Sequence, residues 1–288
     1  MIYLYPYKVG SRSVRALKHA VNGTIIKLEN SRYRYRQGHT IINWGNPRIQ
    51  PWMQGVAGAT ILNHPTDVAV ASNKLRTFQV LQAEAVPTVP WTEDQTDAQD
   101  WLDQGRKVYS RAVLNGHSGE GITVHHPNNE ARQLTTIAEL FQRHGDVRLG
   151  ELLTSINPPL PQAPLYTMGI NNHGEYRVHV FAGEVILYQK KSRRVDEDGN
   201  VVTPEGEEAD VRNLASNWVY RTGNLRRTER IESLALDAVQ ALNLDFGAVD
   251  IIKDENGDVF VLEVNTAPGL GNTETLEAYT NAINQLNN

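Results

Sequence analysis

The chain has 288 residues, with 28 basic and 33 acidic side chains for a formal net charge of −5, and it has no cysteine. That length makes one elaborate domain or two to three smaller lobes, enough to bury a real core. The missing cysteine excludes disulfides, thiolate metal sites and cysteine nucleophiles, and it fits a reducing, cytoplasmic home. No apolar run approaches the ~18–20 residues of a membrane span. Met1 to Gly10, followed at once by Arg12, Arg15 and Lys18, is too short and too soon charged for a signal peptide. A pI near 6.0 argues against a protein that wraps nucleic acid. A soluble globular enzyme or ligand binder is the class left.

In chain order, Ile2 to Tyr5 reads as a strand, and Val14, Leu17 and Val21 fall at helical spacing. Thr24 to Leu28 and Ile41 to Trp44 read as further strands, so the start of the chain predicts a small βαβ lobe with a parallel sheet. A helix follows from about Asn73, and Pro87 and Pro90 mark a linker. Lys107 to His125 reads as two short strands joined by a glycine loop, Asn115 to Gly121; Ile137 to Phe141 is helical, and the prolines of 157–164 impose an irregular loop. Tyr166–Ile170, Tyr176–Phe181 and Glu184–Gln189 alternate as strands, with turns at Asn172-His173-Gly174 and Ala182-Gly183. Residues 195–210 carry charge and turn formers, which predicts a mobile loop. Helices over about Thr228–Leu242 and Thr273–Leu286 flank two final strands.

Those two strands, Ala248 to Asn265, are the most informative segment. Asn256-Gly257 is a strong two-residue hairpin signal, because both turn positions of that loop need positive φ. With that loop, Asp250 falls opposite Glu263 and Ile251 opposite Leu262, and Asn265 shares the Glu263 face. Directly opposed carboxylates repel, and a cation between them removes the penalty. An all-oxygen set of few ligands suits Mg²⁺, which keeps waters and shares phosphate oxygens with a nucleotide. A hairpin with one solvated, charged face is the plain alternative.

Gly116, Gly119 and Gly121, with Ser118 and His117 between them, can turn backbone N–H groups toward a phosphate; an ordinary glycine hairpin explains the same residues. Neither a Walker A loop nor a dinucleotide fingerprint occurs. Lys74, Arg111, Arg177, Lys190 and Lys191 sit where they can face such a loop, and a triphosphate needs several cations.

Together the segments NHPTDVAVASNK (63–74), SRAVLNGHSGEGI (110–122), EYRVHVF (175–181), QKK (189–191) and DFGAVDII…VFVLEVNTAPGL (245–270) resemble the ATP-grasp superfamily. Within it they are nearest the ribosomal-protein glutamate ligases and the related proteins encoded by phages. The resemblance implies an ATP-grasp fold, two α+β lobes clasping ATP, preceded by a small βαβ lobe, with boundaries at 1–68, 69–165 and 166–288. It implies an ADP-forming carboxylate–amine ligase that works through an acyl phosphate, with ATP and Mg²⁺ as cofactors, two ions in number and Mn²⁺ able to substitute. Asp250, Glu263 and Asn265 match the metal ligands. Lys74, Arg111, Gly116, Ser118, Gly119, Gly121, Tyr166, Met168 and Lys190 match nucleotide contacts. Arg177, Lys191, Arg212 and Asn213 match the catalytic cations and their Arg/Asn pair. The chain departs from the family at Arg111, where Lys is common, and in the prolyl segment before the hinge. Small-molecule or peptide carboxylates and amines are the implied substrates, in the cytoplasm, or the host's cytoplasm for a phage-encoded chain. A phosphotransferase and a nucleotide-binding protein without turnover are the competing readings.

Arg32-Tyr33-Arg34-Tyr35-Arg36 alternates strictly, which fits either a patch for an acidic or macromolecular partner or an edge strand protected by charge. Ser11 and Ser13 open a helix, where capping explains them more simply than an anion site. His179 is structural or faces substrate.

Overall fold

In a computed structural model, residues 1–53, 60–116, 119–127, 159–198, 200–202, 212, 216–223 and 225–286 are described. The chain divides into two compact units: Met1–Thr88 with Asn172–Val195 and Trp218–Asn288, and Val89–Asn171 with Asp196–Asn217. Among the described residues no helix is long and apolar enough to cross a membrane.

The first unit opens with β1 (Ile2–Pro6), α1 (Arg12–Ala20), β2 (Thr24–Ile25), β3 (Thr40–Trp44) and β4 (Thr60–Leu62). The strands form the expected parallel sheet, in the order β2-β1-β3-β4. The Ser11 hydroxyl accepts the Val14 N–H at 3.3 Å and so caps α1, whose Val14 and Leu17 are buried. The Ser13 hydroxyl accepts the Leu270 N–H at 3.1 Å, so neither serine is set aside for an anion.

Next come α2 (Pro65–Ala71) and α3 (Lys74–Ala83). Helix α2 escaped the periodicity reading because seven residues are too few to show it; the signals present are Pro65 in the first turn and the His64 cap. The Asn73 side chain caps α3 and leaves Lys74, in its first turn, buried.

The rest of this unit is a five-stranded antiparallel sheet. Its strands are β9 (Gly174–Phe181), β10 (Glu184–Arg193), β11 (Trp218–Arg221), β12 (Phe246–Lys253) and β13 (Val259–Asn265), with α5 (Glu229–Ala241) and α6 (Thr273–Gln285). The order is β11-β10-β9-β12-β13. Strand β10 runs four residues beyond the expected end, carrying Lys190 and Lys191 into the sheet. Ala182 and Gly183, at φ 51° and 79°, make the two-residue turn between β9 and β10, the geometry that favours glycine there.

One face of the sheet buries Val178, Val180, Val249 and Ile251 against Ile231, Leu234 and Ala238 of α5. On the other face Phe246 stacks on Trp44 at 5.3 Å and meets Tyr279 of α6 edge-on. Period-2 alternation thus separates two cores with one strand. Asn63, buried at φ 57°, joins the parallel and antiparallel sheets. Its Oδ1 accepts the N–H groups of Asp245 (2.8 Å) and Phe246 (3.1 Å), and its Nδ2 donates to the Phe246 carbonyl at 2.8 Å.

The second unit holds β5 (Trp91–Thr92), α4 (Gln95–Asp103), β6 (Val108–Arg111), β7 (Ile122–His125) and β8 (Leu165–Met168), in the order β5-β8-β6-β7. Ala98, Leu102, Val108, Leu160 and Tyr166 form its core. The expected helix at Ile137–Phe141, the start of the 157–164 loop and most of 195–210 lie outside the described residues.

Candidate functional site

The β12–β13 hairpin corrects the expected turn and keeps the expected pair. Asp254 and Asp258 close a three-residue loop: the Asp254 N–H donates to the Asp258 carbonyl at 2.9 Å, and of Asn256 and Gly257 only Gly257 has positive φ. The register near the turn is therefore shifted by one, and Ile251 lies opposite Val261 rather than Leu262. A bulge at Leu262 then restores the offset, so Asp250 does face Glu263.

Strand β12 is flanked by β9 on its other side, where Asp250 pairs with Arg177. The guanidinium binds the carboxylate bidentately, Nε to Oδ1 at 2.6 Å and Nη2 to Oδ2 at 2.7 Å. Glu263 accepts from the Lys74 ammonium, which α3 delivers, and from Asn265 Nδ2 at 2.9 Å. One strand further out, Lys191 of β10 pairs with Glu175 of β9. The result is three carboxylates matched by three cations on one sheet face.

Burial pushes the Asp250 carboxyl up, and Arg177 offsets part of that rise. Burial also acts to raise Glu263, but the Lys74 ammonium and the Asn265 amide together hold it well below the usual carboxylate range. Arg177, desolvated yet paired with Asp250, stays firmly charged.

Tyr220 belongs to this cluster and was missed by sequence reading. It lies opposite Lys191 in the β10–β11 ladder, with the Arg177 guanidinium 4.1 Å and the Lys191 ammonium 5.3 Å from its ring centre. Burial and the nearby Asp250 raise its hydroxyl well above the usual range, so it stays protonated. Only an aromatic alternation across a short strand, Trp218 and Tyr220, hinted at it. The two ring contacts are each worth about 0.5–2 kcal/mol. Tyr220→Phe is therefore expected to keep thermal stability within about a degree of wild type, and Tyr220→Leu to lose several degrees; equal melting points for the two would discount the ring.

Strand alternation turns Lys190 to the opposite face, where its ammonium sits 5.9 Å from the Tyr176 ring. His179 shares the Arg177 face but is fully buried; its Nδ1 meets the Tyr279 hydroxyl and its Nε2 the Gln189 Oε1, both at 3.1 Å. The Gln189 oxygen can only accept, which assigns the proton to Nε2 and makes His179 a neutral structural residue. Burial lowers its pKa to about 4, against the Gln189 hydrogen bond. The unfolded chain thus binds the extra proton first as pH falls. Stability present above pH ~6.5 is expected to drop by about 3 kcal/mol on the way to pH ~4. Chemical denaturation of wild type and His179→Gln across that range checks it, since the variant lacks this part of the slope.

In the second unit Tyr166 is fully buried, its hydroxyl accepting the Ala163 N–H at 2.8 Å and donating to the Pro161 carbonyl at 2.7 Å, while Met168 is half-buried at the end of β8. Arg111 ends β6, half-buried. A Cβ on Gly116 would come within 2.8 Å of the Glu120 carbonyl, and Gly121 at φ 70° crowds Val113, so the loop's own packing demands these glycines. Gly119 is at φ 88°. Arg212 is half-buried. His117, Ser118 and Asn213 lie outside the described residues.

Asp250, Glu263 and the Asn265 amide offer only oxygen donors to a cation, and no group of three or more His, Cys, Asp or Glu forms a closed cage among the described residues. Two carboxylates and one amide leave positions for water and phosphate, which fits Mg²⁺ and not Zn²⁺.

A family model described as the RimK-like ATP-grasp domain matches residues 200–286. The tetrahydromethanopterin:alpha-L-glutamate ligase of Methanocaldococcus jannaschii is 27% identical over 218 residues, 72% of this chain and 62% of that protein. A D-alanine–D-alanine ligase of a Marinomonas species is 22% identical over 226 residues, 77% of this chain and 64% of that one. The chain thus spans less than two thirds of the length of these curated relatives. Among solved structures, the ATP-grasp ligase PsnB complexed with minimal precursor, Mg and ADP superposes with a TM-score of 0.64 at 12% identity, covering 100% of this chain and 97% of that one. The α+β units with their parallel and antiparallel sheets define an ATP-grasp fold. The family match covers residues 200–286, and over the whole chain the likeness is one of fold.

Proposed function

We propose that the chain is an ATP- and Mg²⁺-dependent carboxylate–amine ligase that releases ADP and works through an acyl phosphate. The observation that carries this is the neutral cluster on one sheet face, with Asp250, Glu263 and Asn265 beside Lys74, Arg177 and Lys191. A substrate carboxylate oxygen attacks the γ-phosphorus and the bond to the ADP oxygen breaks. An amine nitrogen then attacks the acyl carbon, phosphate leaves, and the nitrogen gives up a proton. The protein forms no covalent bond in this scheme, in keeping with a chain that has no cysteine.

Asp250, Glu263 and Asn265 are the residues to hold Mg²⁺, in two ions replaceable by Mn²⁺, and the metal supplies charge neutralisation at the phosphates. Lys74 and Arg177 now neutralise those carboxylates. With a divalent cation held there, their charge would be available to phosphate oxygens. Arg177 and Lys191, with Arg212 and Asn213, take the catalytic roles in this reading. Arg111, the glycine loop with Ser118, and Met168 keep nucleotide roles, while Lys190 faces away from the cluster and Tyr166 is sealed in the core of its own unit. The names of the relatives support ligation, and the PsnB precursor complex supports a peptide among the substrate classes.

The test is ADP release from Mg·ATP with pools of carboxylates and amines. A ligase requires both. Release that an amine never changes would indicate a phosphotransferase, and ATP binding without release under any pool would indicate a nucleotide-binding protein.

A further inference from the structure

We propose that residues 30–36, with the groove that Asn30 to Tyr33 form against β2, are a docking surface for an extended acidic peptide. The alternation Arg32-Tyr33-Arg34-Tyr35-Arg36 survives in the structure as alternating exposure, arginines out and tyrosines half-buried. The segment nevertheless belongs to no sheet. Its arginines are exposed beside β2, the edge strand of the parallel sheet, and take part in no ladder themselves. Among the described residues none of Arg32, Arg34, Arg36 or Lys27 has a carboxylate at ion-pair distance.

The tyrosines seat the segment. The Tyr33 ring lies 4.8 Å from Tyr3 and 4.9 Å from Trp52, and its hydroxyl meets His39 Nδ1 at 3.0 Å. Beside it runs a groove of about 520 Å³ lined by Tyr3, Ile25, Ile26, Lys27, Asn30 and Arg32. In extended chain, side chains two residues apart are separated by ~6.6–6.8 Å. Arginines at that interval match carboxylates at every second position of an extended partner, and each guanidinium can fork onto one. The chain as a whole carries −5, so this local excess of positive charge is set against its own background. Single-stranded nucleic acid would need aromatic faces open for base stacking. The Tyr33 face is already packed against Tyr3 and Trp52, which favours a peptide.

Docking itself does not depend on the ligase reading; that the docked peptide is a substrate does. The experiment measures fluorescence anisotropy of a labelled (Glu-Ala)₄ peptide with the full chain, against (Lys-Ala)₄ and an eight-nucleotide oligo-dT. Wild type is expected to bind the acidic peptide in a salt-sensitive way. Arg32→Gln/Arg34→Gln/Arg36→Gln is expected to bind at least tenfold more weakly, with an unchanged melting point and unchanged ADP release on small substrates. Should the triple variant fail to fold, Arg34→Gln alone is expected to weaken binding severalfold. No binding by wild type, equal binding by a folded variant, or tighter binding of the oligonucleotide would each overturn the proposal. Peptide binding in a protein that releases no ADP would leave the docking surface standing and remove the ligase.

Discussion

Glu263→Gln is expected to lower Mg·ATP-dependent ADP release by a factor of a thousand or more and to abolish the Mg²⁺-dependent part of the thermal shift given by ATP. The change removes one charge and keeps the shape. It weakens the opposed Asp250–Glu263 pair, and it leaves Lys74, buried in the first turn of α3, without its anionic partner. Preorganised charge at a transferring phosphoryl group is the main catalytic device in this chemistry, and loss of one such element typically costs ~10²–10³, more where a metal goes with it. Two measurements separate the causes. A ligand-free melting point reports the Lys74 penalty, and the ATP shift with and without Mg²⁺ reports the metal. A variant that keeps its Mg²⁺-dependent shift and releases ADP within tenfold of wild type would show the hairpin to be structural.

The second large effect is on folding. Arg177→Leu is expected to cost about 3–5 kcal/mol, because it strands the Asp250 carboxylate, 7% exposed, without the guanidinium that binds both its oxygens. Arg177→Leu/Asp250→Leu is expected to recover most of that loss, since an apolar pair of similar volume needs no desolvated charge. Urea denaturation of the two single variants and the double variant gives the coupling directly. Strict additivity would mean the pair contributes nothing beyond its separate members. The deficit of Arg177→Leu should also shrink as pH falls. Burial already raises the Asp250 pKa, and without Arg177 the native state binds its proton at still higher pH.

Much of the local architecture was legible. The parallel N-terminal sheet, the α3 start at Asn73 and the later helices follow from apolar spacing and capping residues, both of which act within a few residues. Short helices were not: α2 has too few turns to show a period, and α4, as long as α1, buries only Ala98 and Leu102, so the His64 and Asp94 caps are the signals that announce them. The pairing of Asp250 with Glu263 is instructive in another way. Counting back from a two-residue Asn-Gly turn reaches it only because the bulge at Leu262 offsets the third loop residue. An Asn-Gly pair permits more than one loop, and the burial of Val261 and Val264 against α5 selects the one observed.

By itself the sequence determined which residues alternate on each strand, and hence that Asp250, Arg177 and Lys191 can face one way while Val249 and Val178 face the other. It also determined that no cysteine chemistry operates. Only the tertiary structure decided which cation meets which carboxylate. Lys74 reaches Glu263 across 189 residues and Arg177 reaches Asp250 across 73, while Lys191 turns to Glu175 and Tyr220 lies against both Arg177 and Lys191. Periodicity and caps are local and leave a readable trace in the chain. An ion pair is specific only once strand order and helix docking have removed both charges from water, and no spacing along the sequence records that.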